Sequence, residues 1–144
     1  WRLADSYTLE EDVASIEWTG DTEVNEMLVA MNGIVNNEAN DLANAVAAVY
    51  VRGVKATGAW TGNIFSGKNM FFVRTGGAFP SYLSFTRREN YIEAKGVQCE
   101  SQTYGTANAH FGILPTDSFV GFILRFNNAE HRAKAGMTVE VYVR

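Results

Sequence analysis

Thr22-Glu-Val-Asn-Glu-Met-Leu-Val-Ala-Met-Asn-Gly-Ile-Val-Asn-Asn-Glu-Ala-Asn-Asp-Leu-Ala-Asn-Ala-Val-Ala-Ala-Val49 is the stretch on which the fold turns. Its apolar residues Val24, Leu28, Met31, Val35, Leu42, Ala45 and Val49 follow a 4-3 spacing, with Glu38 where the series expects another apolar side chain. That spacing predicts an amphipathic helix. Asp21 or Thr22 can cap its N-terminus, and Glu23 and Glu26 sit where a helix dipole favours negative charge. Met27 and Ile34 widen the seam, which suits a three-stranded bundle better than a narrow two-stranded one. The asparagines at 25, 32, 36, 37, 40 and 44 are mediocre helix formers and Gly33 is worse, so the helix needs partners to bury its stripe. Two arrangements supply them. One is an intermolecular stem whose interface is Val24, Leu28, Met31, Val35, Leu42 and Val49; the other is a helix folded back on its own domain.

Beyond this stretch the period shortens to two, and β-branched and aromatic runs are punctuated by glycine, which reads as strands. They are expected near Val49–Ala56, Asn69–Thr75, Tyr82–Arg87, Tyr91–Cys99, Ala109–Leu114, Phe119–Phe126 and Thr138–Arg144, with a weaker one around Ala59–Phe65. No helix-length segment separates them, so the sheets should be antiparallel, in a β sandwich or jelly-roll-like domain. The last run alternates cleanly, with Val139, Val141 and Val143 on one face and Thr138, Glu140, Tyr142 and Arg144 on the other. Residues 1–21 are polar and acidic apart from a short strand candidate at Val13–Trp18. The expected organisation is an extended acidic lead-in at 1–21, a helical stem at 22–48 and a β domain at 49–144. The whole is mainly β.

The 144 residues are 47% hydrophobic and 19% charged, as in an ordinary folded protein. The net charge of −4 is unevenly spread. Residues 1–41 carry ten acids against Arg2, whereas residues 42–144 carry eleven of the twelve Lys and Arg with six acids. A modestly basic domain suits an anionic partner, while scattered solvated cations explain the same numbers. The sequence pI of about 5.1 argues against nucleic acid. Apolar runs such as Phe119–Leu124 are far below the roughly 20 residues needed to span a bilayer as a helix, so membrane insertion is not expected. A start at Trp1 suggests a processed chain or a fragment.

Few residues suggest chemistry. Gly62-Asn-Ile-Phe-Ser-Gly67-Lys68-Asn69 is one residue short of a phosphate-binding loop, but a strand rather than a helix is expected after it. Cys99 is the single cysteine, which excludes an intrachain disulfide, and it reads as core packing more than as a nucleophile. His110 and His131 lack the spacing and carboxylate company of a metal site, and no acid pair of the glycosidase kind can be nominated. No enzyme, metal or cofactor is expected. The ligand-binding candidates lie in turns: Trp60 with Asn63, Arg87 and Arg88 before Glu89-Asn90, and Tyr104. There, aromatic faces can stack on sugar rings while Arg and Asn donate hydrogen bonds.

Met31-Asn-Gly-Ile-Val-Asn-Asn-Glu-Ala-Asn-Asp-Leu-Ala-Asn-Ala-Val46 resembles the Asn-rich coiled-coil stems of bacteriophage tail fibres and receptor-binding proteins. In that family a trimeric stem leads into a C-terminal β knob that recognises a host surface. The resemblance implies a homotrimeric, extracellular virion fibre or receptor-binding tip that adheres, without catalysis, to a cell-surface glycan or other anionic polymer. The alternative is a structural virion protein, a capsid decoration or tail component, that holds neighbouring subunits together.

Overall fold

The computed structural model describes residues 1–33, 45–52, 54–55, 80–100, 103–126 and 132–144. Among these residues there are ten strands and no helix: β1 Arg2–Thr8, β2 Ser15–Thr19, β3 Glu26–Asn32, β4 Ala45–Val51, β5 Val54–Lys55, β6 Pro80–Arg87, β7 Tyr91–Glu100, β8 Thr103–Gly112, β9 Phe119–Phe126 and β10 Thr138–Val143. They form two antiparallel sheets, ordered β1-β10-β3-β6-β7-β8 and β2-β9-β4-β5. The pairings are nested: β1 with β10, β2 with β9, β3 with β6, β4 with β5. A long hairpin wound over two sheets in this way has the strand order of a jelly roll. The β7–β8 hairpin interrupts that scheme and widens the first sheet beyond β6.

The helix expected from Thr22 is replaced over the described residues by β3, a central strand between β10 and β6. Met27, Val29 and Met31 are fully buried between the sheets, while Leu28 and Ala30 face the opposite way and are half-buried. The run Met27-Leu-Val-Ala-Met31 is apolar at every position, so it satisfies a 4-3 spacing and a period of two alike. Hydrogen bonding to two neighbouring strands and the burial of alternate side chains decide for the strand. Gly33 is there for close approach: a Cβ at this position would sit 2.6 Å from Cβ of Met137. Of the expected seam, Val24, Met31 and Val49 are buried in the core of the chain itself and Leu28 lies on the outer sheet face. Val35 and Leu42 lie outside the described residues.

Residues 1–21 contribute two strands to the sheets. β1 forms one edge of the six-stranded sheet and β2 one edge of the four-stranded sheet. Acids such as Asp5 and Glu17 suit such edges, because charge discourages further strand pairing. Asp12 secures the crossing between them through Lys134 at 2.5 Å and the Ala135 amide at 2.9 Å. Of the strands expected after residue 49, the ones at 82–87, 91–99, 119–126 and 138–144 are present as β6, β7, β9 and β10. That at 109–114 is the end of a longer β8, and that at 49–56 begins earlier, as β4. Those at 59–65 and 69–75 lie outside the described residues.

The core lies between the sheets. From the six-stranded sheet come Met27, Val29, Met31, Leu83, Phe85, Ile92, Ala94, Val139, Val141 and Val143; from the other come Ile16, Val49, Phe122, Leu124 and Phe126. The Phe85 ring meets Phe119 at 6.1 Å and Phe122 at 5.7 Å, both in the tilted arrangement that aromatic quadrupoles favour.

Two outcomes follow. Met27→Ala or Met31→Ala should cost about 2–5 kcal/mol of unfolding free energy, because each leaves a cavity. Leu28→Ala should cost a fraction of that in the same denaturant titration; equal losses at 28 and 31 would point to a helical seam. Tyr7 packs against the core and donates to the Glu17 carbonyl at 3.2 Å. Burial, then Asp5 and Glu17, pushes its phenol up to about 12. An unfolded tyrosine loses its proton near pH 10, so between these values the unfolded chain has released a proton that the folded chain keeps. Stability should therefore be full below pH 10 and fall as pH rises towards 12. Tyr7→Phe should lessen that decline in denaturant titrations between pH 9 and 11.

Candidate recognition surface

Cross-strand partners share a face of a sheet, so the register fixes what the six-stranded sheet presents to solvent. Ala30 of β3 is paired with Glu140 of β10 on one side and with Tyr82 of β6 on the other. One row is therefore Glu140–Ala30–Tyr82. The next towards one end is Thr138–Asn32–Pro80, and towards the other it is Tyr142–Leu28–Ser84. A methyl group between a carboxylate and a phenol ring leaves a depression. The groove has a volume of about 190 Å³ and is lined by Ala30, Met31, Asn32, Tyr82, Thr138 and Glu140.

The walls of this groove are polar and anchored. Tyr82 is 40% exposed, an unusual state for a large ring on a central strand. The Tyr142 hydroxyl donates to Oε2 of Glu140, and this hydrogen bond raises the Tyr142 phenol above its ordinary value, with burial and the Glu140 charge adding to it. Thr138 Oγ1 donates to the Asn32 carbonyl at 3.4 Å, tying β10 to β3 at the groove's end. Below this surface Val29, Met31, Val139 and Val141 are buried, so the groups are held on a rigid floor. The groove is smaller than the roughly 300–1,000 Å³ of drug-sized pockets. It suits one ring at a time.

The turn residues favoured by the sequence are distributed differently. Trp60 and Asn63 lie outside the described residues. Tyr104 pairs with Cys99 near the turn of the β7–β8 hairpin, and Arg88 precedes the other end of that ladder, roughly 25 Å away at strand rise. The two do not share a site. Arg88 is exposed and lies 3.6 Å from Glu93, which also binds Lys95 at 2.9 Å and has its carboxyl held below its usual range, chiefly by the Lys95 hydrogen bond. His110, opposite Glu93, meets the Tyr91 ring edge-on at 5.2 Å.

Arg87 serves the fold. Its side chain is 11% exposed, and its guanidinium donates to the carbonyls of Asp117, Pro115 at 2.8 Å and Leu114 at 3.5 Å, with Glu23 at 3.8 Å. Arg52, at a positive φ of 54°, reaches the same turn from β4 through the Thr116 carbonyl and Asp117. The 114–117 turn is thus clamped from both sheets. Among the described residues no group of three or more His, Cys, Asp or Glu is placed to hold a metal ion. The groove was not legible from the sequence, because its walls come from positions 30, 82 and 140 and meet only through strand register.

No protein-family model matches the chain, and no curated protein matches it.

Arg87→Ala should lower unfolding free energy by about 2–3 kcal/mol, through loss of charge-assisted hydrogen bonds. Arg88→Ala should stay within about 0.5 kcal/mol of wild type. Thermal and denaturant unfolding of both variants checks the contrast.

Proposed function

We propose that the chain is the receptor-binding tip of a virion fibre and adheres, without turnover, to a host cell-surface glycan. The observation that carries this reading is the exposed Tyr82 ring beside Asn32, Thr138 and Glu140 in a shallow groove on a rigid sheet face. A phenol face stacks on the apolar side of a sugar, and amide, hydroxyl and carboxylate groups around it exchange hydrogen bonds with sugar hydroxyls. The virion setting rests on the Asn-rich composition that residues 31–46 share with phage fibre stems and not on a helical stem, since Met31–Asn32 end β3 and Ala45–Val46 begin β4. Presentation as a homotrimer is part of the same proposal. Three copies would add avidity to a groove that takes one ring at a time.

A structural virion protein is the second reading. It is favoured by apolar side chains held out to solvent on rigid supports: Leu114 is 65% exposed on the doubly clamped turn, and Trp1 and Leu3 are 54% and 51% exposed at the β1 edge. Such residues suit contacts between neighbouring subunits.

Pull-down of the chain with host cells and with purified surface polysaccharide separates the two. Adhesion predicts saturable binding that Tyr82→Ala weakens about tenfold, the worth of one buried ring face, at unchanged melting temperature, and that Tyr82→Phe retains. No binding to cells or polysaccharide would leave the structural reading.

A further inference from the structure

The groove's chemistry narrows its ligand, on the footing that the adhesion reading is right. Its charged lining group is the Glu140 carboxylate, and none of its lining residues is basic. The described cations of the same sheet face are engaged with other acids: Lys95 and Arg88 with Glu93, and Arg144 with Glu26. An ionised carboxylate accepts hydrogen bonds and cannot donate them. A ligand seated between Glu140 and Tyr82 must therefore bring donors to one side and an apolar face to the other. A sugar carboxylate or sulfate here would face Glu140 across a single alanine.

We propose that the groove over Ala30 binds an uncharged pyranose ring of a surface polysaccharide. The apolar face of the sugar lies on Tyr82, and hydroxyls donate to Glu140. Asn32 and Thr138 meet further hydroxyls at the open end of the groove. Tyr142 acts as a positioning residue: its hydroxyl fixes the Glu140 carboxylate, which spares the ligand the entropic cost of ordering it. Ala30 sets the depth, since any larger side chain at that outward-facing position would occupy the volume of the ring. The anionic partner suggested by the basic balance of residues 42–144 is thereby excluded from this groove. A uronic acid ring is the discriminating probe.

The test titrates the full chain, followed by amide chemical shifts of Ala30, Asn32 and Tyr82, with methyl glycosides of glucose, galactose, mannose and xylose. The matched glucuronate and galacturonate glycosides form the second arm. At least one neutral glycoside should shift these amides saturably, and its uronate counterpart should bind about tenfold more weakly or not at all. Glu140→Gln should weaken the neutral ligand about tenfold, and Glu140→Lys should turn the preference towards the uronate. Ala30→Leu, outside the core, should abolish the shifts at unchanged melting temperature. Uronates that bind as well as neutral rings, or neutral binding that survives Ala30→Leu, would overturn the assignment while leaving adhesion to cells intact. Absence of any glycoside effect on these amides would overturn it too, whereas absence of binding to whole cells and polysaccharide would remove the adhesion reading itself.

Discussion

Phe85 is the side chain on which the sandwich closes. It rises from β6 in the middle of the six-stranded sheet and meets Phe119 and Phe122 of β9, the strand at the heart of the other sheet. All three rings are fully buried. Each contributes about 1.5–3 kcal/mol of apolar burial, and ring-to-ring geometry adds direction to it. With the sheets held in this relation, the outward faces of β3, β6 and β10 are fixed as well. The register that stacks Phe85 and Leu83 inward is the register that sets Tyr82 outward beside Ala30. Core and groove are two sides of one alternation.

The two arginine clamps extend the same dependence to the end of the molecule. Arg52 leaves the last residues of the four-stranded sheet and Arg87 those of the six-stranded sheet, and both finish on the carbonyls of residues 114–117. A turn with its polar backbone satisfied in this way can hold Leu114 in water without collapsing onto the core. Tyr7 makes a comparable link at the opposite edges, from β1 in one sheet to the Glu17 carbonyl of β2 in the other.

How far the sequence speaks depends on whether a residue's partners are near it in the chain. β9 and β10 are legible because their alternation is clean or their apolar run short, and the all-antiparallel arrangement follows from the lack of helical spacers. β3 is misread as helix because Leu28 and Ala30, though on the outer face, are as apolar as their buried neighbours, so neither period is excluded. The candidate at Val13–Trp18 is present as β2, whereas β1 escapes notice because an edge strand of mixed polar and charged residues looks like a loop. Arg87 illustrates the limit for side chains: its role is set by a turn about thirty residues downstream, and a basic pair next to a tyrosine suggests a ligand equally well. The groove has no local signature at all. Alanine at 30, tyrosine at 82 and glutamate at 140 become a site only when three strands come into register.

The nested pairing also orders events in time. β10 lies between β1 and β3, yet it follows every other described strand in the chain. During synthesis β1 must wait, its hydrogen-bonding edge unanswered, until β10 has left the ribosome. Closure then joins residues more than a hundred positions apart, a contact pattern associated with slow folding. The charges on β1 and β2 therefore serve the nascent chain before they serve the finished one, by keeping an unpaired edge soluble until its partner arrives.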